Sequence, residues 1–344
     1  MSKRIIFCAD GTWDDPLDTT NVYAMFKAIT TTSGQVAYYD DGVGANGTPI
    51  QKLAGGAIGA GLFQKITDGY TKIAHAYDQD DEIFIFGFSR GAYTARSIAG
   101  MIAICGLPTG NFSDEFVNDA FQAYRNPGQR AAFLEKYNPY NAKITMVGVW
   151  DTVGSLGIPA IFGDVDPVEY GFLDTSLHPD VLNACQALAI DERRQEFPPT
   201  LWTPPAPPVP GQVLQQVWFT GVHCDIGGGY SDDESLSNIT FGWMLSKAVA
   251  LGLQLDPAIL AQYCGPNYPS LSATNALGTL HNSWSPLWLF PKSRTVAPNS
   301  TLGNSVAIRC QYDTDYAPAN LSLNNGVLAN TYVIAPVVMP APVS

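Results

Sequence analysis

The chain has 344 residues, of which 46% are hydrophobic and 14% are charged, so it can build a large core and does not resemble a disordered protein. Its net charge is −13 with only 18 lysines and arginines, which excludes the clustered cations of a nucleic-acid-binding protein and disfavours electrostatic adsorption to an anionic membrane. A transient apolar contact with a membrane is compatible with this composition.

The first ten residues, MSKRIIFCAD, contain an apolar stretch that is too short for a secretory signal peptide. The chain has no run of 18 apolar residues, so we expect no transmembrane helix. Six scattered cysteines in a chain of this size are expected to be free thiols. We therefore predict a cytoplasmic location, while export without a cleavable leader stays open.

Apolar runs that end in turn residues predict strands, and apolar residues at helical spacing predict helices. The alternation of the two predicts an α/β fold with a mainly parallel central sheet and helices on both faces. We expect one domain over residues 1–344, wrapped by an irregular segment of about 257–344. In chain order the predicted elements are strands at 4–9 and 35–39, a helix at 62–77, a strand at 82–88, a helix at 92–104, one or two helices in 112–137, strands at 143–150 and 213–219, and a helix at 235–251.

The sequence GFSRG at 87–91 matches the pattern G-x-S-x-G between an apolar strand and a helix. This is the context of a nucleophile elbow, in which the glycines permit a tight turn and the serine hydroxyl is exposed. The following helix presents backbone N–H groups to a developing oxyanion. Ser89 is therefore the candidate nucleophile, and the alternative is a serine that only caps the helix.

A serine hydroxyl needs a base at neutral pH, and this chain has four histidines. His75 falls within a predicted helix, His178 precedes a proline in a loop, and His281 lies in the irregular C-terminal segment. His223 follows the strand 213–219 in a glycine-rich loop, at the carboxyl edge where parallel sheets build their sites. His223 is therefore the candidate base.

The base needs a carboxylate that fixes its tautomer. Asp151 directly follows a predicted strand and should emerge at the same edge of the sheet. The order Ser89, Asp151, His223 is the order of the triad in α/β-hydrolases. Asp191 and Asp225 compete for this role, but each is more typical of a turn or an ion pair.

The backbone N–H of Arg90, together with that of Gly11 or Thr12 after the first strand, is the candidate oxyanion hole. The alternative for the loop at 11–12 is a simple turn. The apolar stretch at 156–162 is a candidate lid or acyl-binding wall, or else a buried connection. The candidate pocket-lining residues are Trp13, Phe88, Leu156, Ile158 and Phe162.

We expect no cofactor and no metal. The glycine-rich stretch at 55–61 lacks the preceding strand and the following Lys-Ser/Thr of a phosphate-binding loop. Histidines and cysteines do not cluster with zinc-like spacing. A calcium site is an alternative for some acidic residues, namely Asp10, Asp40, Asp41 and Asp225.

Five sequence segments together resemble one known family: ADGTW at 9–13, GFSRGAYTAR at 87–96, GVWDTVGSLG at 148–157, ALAIDERRQEFPPTLW at 187–202 and GVHCDIGGGY at 221–230. The family comprises uncharacterised α/β-hydrolase domains and includes phospholipase effectors of bacterial type VI secretion. With weaker similarities further on, the resemblance covers about residues 4–322.

The resemblance implies an α/β-hydrolase fold with a Ser–Asp–His site, which falls on Ser89, Asp151 and His223. It also implies cleavage of carboxylic esters, with phospholipid acyl chains as the substrate of the studied effectors. Those effectors carry additional membrane-interacting segments, for which we expect no room in this chain. Ester hydrolysis is therefore expected more firmly than phospholipase activity.

The sequence thus predicts a serine hydrolase that cleaves an ester bond of a small molecule or lipid through an acyl-enzyme. One alternative keeps the triad but acts on an amide, thioester or peptide bond. Another is a non-catalytic binding module on the same fold. Nucleic acid is not an expected partner, and the oligomeric state is not predicted.

Overall fold

An eight-stranded sheet forms the centre of the protein in the computed structural model, which describes residues 2–11, 20–42, 57–153, 175–264, 273–288 and 290–337. The strand order is β10-β7-β6-β5-β4-β3-β1-β2, and each neighbouring pair in this order is parallel. A short antiparallel pair, β8–β9, lies outside this sheet. The strands are β1 Arg4–Ala9, β2 Gln35–Asp40, β3 Glu82–Phe88, β4 Ile144–Trp150, β5 Asn183–Ala189, β6 Val213–Phe219, β7 Thr301–Gly303, β8 Leu323–Asn324, β9 Val327–Leu328 and β10 Val333–Ala335.

Successive residues of a strand point to opposite sides of the sheet. Because both sets are apolar in the buried strands, helices cover both faces. In β3, Ile83 and Ile85 belong to one apolar cluster, whereas Phe84 and Phe86 belong to another. The predicted mainly parallel sheet with helices on both faces is therefore confirmed. The helices are α1 Asn21–Ala28, α2 Ala57–Ala76, α3 Ser89–Cys105, α4 Asp114–Arg125, α5 Arg130–Tyr137, α6 His223–Gly227, α7 Ser235–Ala250, α8 Pro257–Cys264 and α9 Asn304–Tyr312.

The two faces are built by different helices. Helices α2, α3, α4 and α5 contribute to the first cluster, which includes Ile66, Ile98 and Phe121. Helices α1, α7 and α8 contribute to the second, which includes Met25 and Phe241. Within the described ranges, no helix is both long and apolar enough to span a bilayer.

The C-terminal part is less irregular than the sequence predicts. Strands β7 and β10 extend the central sheet beyond β6, and α9 packs with Leu188 and Trp218 in a third apolar cluster. Each of these strands has three residues, which is too short for an apolar run or an alternating pattern to be recognised.

The start of α3 lies very close to the end of β1, and Gly91 permits this approach. A β-carbon at Gly91 would collide with the backbone carbonyl oxygens of Ala9 and Asp10. Gly87 is similarly confined, because a β-carbon there would meet the Gly91 carbonyl oxygen. Both glycines of the G-x-S-x-G pattern are thus required by the packing of the turn on itself and on β1.

We predict that Gly91→Ala lowers the free energy of unfolding by about 1–3 kcal/mol, because overpacking against backbone atoms forces the strand and the helix apart. Alanine otherwise stabilises a helix relative to glycine. Gly128→Ala is the matched control, since a β-carbon there meets no atom within 4 Å. Urea denaturation of the three proteins measures the effect, and equal stability of the two variants would contradict it.

Candidate active site

Three predicted site residues follow the carboxyl ends of parallel strands. Ser89 comes directly after β3 and begins α3, Asp151 comes directly after β4, and His223 begins α6 a few residues after β6. Strands β3 and β4 are neighbours, and β5 separates β4 from β6. Because these strands run in the same direction, the three residues lie along one edge of the sheet.

Ser89 has a left-handed backbone conformation at the junction of β3 and α3. Its φ is +57°, in the left-handed region that residues with a side chain rarely occupy. Such a conformation costs roughly 1–3 kcal/mol and persists only where the surrounding structure enforces it. Here the enforcement comes from β3 and α3, which meet at Ser89 with no connecting residue.

Asp151 and His223 are brought together by the fold. Oxygen Oδ2 of Asp151 lies 2.6 Å from Nδ1 of His223, and both side chains are buried. The His223 ring packs on the ring of Phe88, the residue before Ser89, with 4.6 Å between the ring centres. The imidazole therefore lies beside the strand–helix turn that carries the serine.

The other nitrogen of this imidazole, Nε2, is not hydrogen-bonded within the described residues. Since the ionised Asp151 can only accept a hydrogen bond, Nδ1–H donates to it and the lone pair of the neutral ring is on Nε2. Among the described residues, His223 Nε2 is buried and has no hydrogen-bond partner, and so it makes no hydrogen bond to the Ser89 hydroxyl. The structure thus pairs the aspartate with the histidine and leaves the histidine nitrogen unbonded.

The electrostatics of the pair favour an ionised aspartate and a neutral histidine. Burial by itself raises the pKa of Asp151, but Arg294 and His223 outweigh it and hold that pKa well below its usual range. Burial lowers the pKa of His223, the bond to Asp151 opposes this shift, and the nearby charge of Arg194 adds to it. Both directions favour a neutral imidazole beside an ionised carboxylate.

Sequence reasoning missed Arg294, which forms a bidentate pair with Asp151. Its Nη1 donates to Oδ1 at 2.6 Å and its Nη2 donates to Oδ2 at 2.9 Å. The backbone N–H of Ala189, the last residue of β5, also donates to Oδ1 at 3.0 Å. A single arginine in an irregular segment, 143 positions from its partner, carries no local signal that could identify it.

Glu192, which is buried, and Arg194, which is partly buried, form a second ion pair beside the histidine. Glu192 accepts bonds from the guanidinium of Arg194 at 3.0 and 2.8 Å, and from the hydroxyl of Ser283 at 3.0 and 2.9 Å. Burial raises the pKa of Glu192, but Arg194 reverses the shift and lowers it to about 2. Glu192 also accepts the backbone N–H of His223 at 3.2 Å and so helps to fix the start of α6.

The predicted oxyanion donors are arranged unequally. Arg90 is the second residue of α3, so its backbone N–H lies in the first turn of that helix. The N–H of Gly11 instead donates to Oδ1 of Asp10 at 2.9 Å. Gly11 is therefore engaged by the neighbouring side chain, and Thr12 lies outside the described residues.

Of the predicted pocket-lining residues, Phe88 is buried under the His223 ring. The other four lie outside the described residues: Trp13, Leu156, Ile158 and Phe162. An aromatic contact that the sequence did not reveal joins His223 to Phe197, with 5.1 Å between ring centres, and Phe197 to Trp288 at 5.6 Å.

The acidic residues that compete with Asp151 have other partners. Asp225 binds the imidazole of His281, and Asp191 accepts the backbone N–H of Gly221 at 2.7 Å and the hydroxyl of Tyr316 at 3.0 Å. Neither makes a hydrogen bond to the His223 ring.

The carboxylates considered for calcium are also engaged. Asp40 and Asp41 pair with Lys65 at 2.7 and 3.1 Å, and Asp10 accepts the hydroxyls of Thr20 and Tyr39 at 2.6 and 2.8 Å. The parts of the chain that the structure describes contain no group of three or more His, Cys, Asp or Glu side chains placed to hold a metal ion.

The chain is similar in sequence to a known protein family and to a yeast protein. A family model described as "T6SS, Phospholipase effector Tle1-like, catalytic domain" matches residues 3–247. The uncharacterized protein YEL023C of Saccharomyces cerevisiae is 28% identical over 233 residues, which make up 59% of this chain and 33% of that protein.

A solved structure, that of an uncharacterized protein from Pseudomonas aeruginosa, aligns with a TM-score of 0.49 at 17% identity. The alignment covers 80% of this chain and 50% of that chain. The chain thus spans a third of the length of the curated relative and half of the solved one.

We predict that Asp151→Asn lowers the free energy of unfolding by about 3–5 kcal/mol, because it leaves the guanidinium of Arg294 buried without a counter-charge. Asp41→Asn is the control, since its pair with Lys65 is half-exposed and Lys65 retains Asp40. Its stability should match that of the wild type. Urea denaturation measures both changes, and a small loss at Asp151 would show that the pair is not a tight buried one.

Proposed function

The chain belongs to the family of Tle1-like type VI secretion phospholipase effectors, and we propose that it hydrolyses carboxylic esters of lipids through Ser89, His223 and Asp151. The family supports a hydrolase of the lipase or phospholipase type. The observation that carries the residue assignment is the 2.6 Å bond between Asp151 and His223, which leaves Nε2 unbonded beside the strained turn at Ser89.

In the proposed reaction, His223 Nε2 takes the hydroxyl proton of Ser89 as the oxygen attacks the ester carbonyl. The carbonyl π electrons move to the oxygen, and the backbone N–H of Arg90 stabilises the oxyanion. The imidazolium then gives its proton to the departing alcohol, which leaves an acyl-enzyme. Water attacks this ester and gives a proton to His223; the bond between the acyl carbon and the Ser89 oxygen then breaks, the imidazolium returns the proton to that oxygen, and the carboxylic acid is released.

The substrate-free arrangement is compatible with this sequence of steps. A hydrogen bond between nucleophile and base is often absent without substrate and forms in the reactive complex. Rotation about one side-chain torsion of Ser89 changes the direction of the hydroxyl without moving the backbone. A lipid ester as substrate would bring the protein transiently against a membrane or micelle surface.

We predict that Ser89→Ala abolishes labelling by a fluorophosphonate probe and lowers kcat for a soluble short-chain ester by about 10³-fold or more, because the acyl-enzyme no longer forms. Ser246→Ala is the control, since the exposed Ser246 donates its hydroxyl to the Trp243 carbonyl within α7. Gel fluorescence and an ester hydrolysis assay measure the two effects.

Labelling that persists in the folded Ser89→Ala protein would reject Ser89 as the nucleophile. A wild-type protein that is folded but neither labelled nor active would instead indicate the binding module. Parallel assays with amide, thioester and phospholipid substrates decide which acyl compound is cleaved. Faster hydrolysis of amides than of matched esters would overturn the ester assignment.

The pH dependence follows from the lowered pKa of His223. The base acts in its neutral form, so the rate is lost as the pH falls through that pKa. We therefore predict that the acid limb of kcat/KM has an apparent pKa below about 6.5, the ordinary histidine value. The profile is measured with a soluble ester whose own ionisation lies outside the range, and a limb at pH 7 or above would contradict the prediction.

A further inference from the structure

The carboxylate of Asp151 is saturated by four hydrogen bonds, and two of them come from one side chain. Oδ1 accepts from Ala189 N–H and Arg294 Nη1, and Oδ2 accepts from Arg294 Nη2 and His223 Nδ1. An ionised carboxylate has about four acceptor positions, so each is occupied. The histidine therefore shares its carboxylate with a cation.

We propose that Arg294 is a positioning residue for the reaction proposed above, which fixes the Asp151 carboxylate toward His223 and offsets its charge so that the resting imidazole stays unprotonated. The proposal rests on that reaction. It adds a residue that lies beyond the matched region 3–247 and that none of the comparisons identifies.

The fixing of the carboxylate follows from the geometry of the guanidinium. A planar fork with two parallel bonds sets both the distance and the plane of the carboxylate, which a single point charge does not. Arg294 is itself held, because Nη1 also donates to the Ala189 carbonyl at 3.0 Å and Nη2 to the Phe197 carbonyl at 2.8 Å. Since Arg294 is buried, these bonds are shielded from water.

A bonding partner of Arg294 that lies after β5 also contacts the His223 ring. Phe197, whose carbonyl accepts from Arg294, places its ring edge-to-face with the His223 ring. Arg294 thus connects the carboxylate on one side of the imidazole with an aromatic ring on another. A shift of Arg294 would displace both neighbours of the base.

The offset of charge follows from the groups around His223. Among the described residues, the charged groups that these contacts place there are Asp151 after β4, Glu192 and Arg194 after β5, and Arg294 in the C-terminal segment. Two carboxylates and two guanidiniums leave this shell neutral when the imidazole is neutral. Without Arg294 the shell carries one net negative charge, which would favour an imidazolium at rest.

The test compares Arg294→Gln and Arg294→Lys with the wild type. For the glutamine variant we expect the pKa of His223 to rise by roughly one unit or more and the acid limb of kcat/KM to move with it. We expect kcat to fall by about 10²-fold because the carboxylate is no longer held in place. The lysine variant retains the charge without the fork, so its acid limb should stay at the wild-type position while kcat falls.

Two readouts separate this role from a merely structural one. NMR titration of the imidazole carbon of His223, assigned with His223→Gln, reports the pKa without requiring any activity. The matched control is Arg309→Gln, because Arg309 is also buried, pairs with Asp313 and donates to the carbonyls of Ala276 and Gly278. Its loss should cost stability without moving the titration of His223.

An unchanged His223 titration in folded Arg294→Gln would overturn the proposal, whether or not the wild type is active. If Arg294→Gln does not fold, Arg294→Lys decides, and an unchanged kcat there would also overturn it. A wild type that hydrolyses no ester, with the titration still shifted in Arg294→Gln, would refute the proposed function and support the effect of Arg294 on His223.

Discussion

The buried carboxylate of Asp151 is the constraint on which the site depends. An ionised carboxylate away from water is unfavourable by several kcal/mol unless its oxygens are hydrogen-bonded. Here the donors come from three separate places: the end of β5, the start of α6 and the C-terminal segment that carries Arg294. The need to satisfy one anion thus brings together parts of the chain that are distant in sequence.

The sheet determines where this anion lies. Strands β3 and β4 are adjacent and parallel, and each is followed by a non-glycine residue with positive φ, +57° at Ser89 and +41° at Asp151. Each of these two conformations raises the free energy of the folded backbone by roughly 1–3 kcal/mol. The two apolar clusters on either face of the sheet supply the packing that keeps both turns in this conformation.

The sequence predicted most accurately what depends on local pattern. The continuous apolar runs of β1 and β3 and the G-x-S-x-G turn are recognisable without any knowledge of distant contacts. Strand β5 was missed because its sequence, NACQALA, contains no β-branched or aromatic residue and places a glutamine in the middle. Gln186 is tolerated there because it donates to the Thr200 carbonyl, a partner that only the folded chain supplies.

The same distinction applies to the site. The positions of Asp151 and His223 followed from strand ends, whereas their catalytic roles are still a prediction. The engagement of the Gly11 N–H by Asp10 and the pairing of Asp225 with His281 depend on side-chain directions that no sequence pattern encodes. Arg294 is the extreme case, because its partner is 143 positions away.

The location of Arg294 has a consequence for how such proteins diversify. The family match ends at residue 247, so the guanidinium that completes the carboxylate's bonding comes from outside the shared part. A chimera that keeps the shared part and exchanges everything after it would therefore also replace a residue that contacts the candidate site. The segment that is exchanged in then has to provide a cation in place of Arg294. Otherwise two of the four hydrogen-bond acceptor positions of the Asp151 carboxylate stay empty.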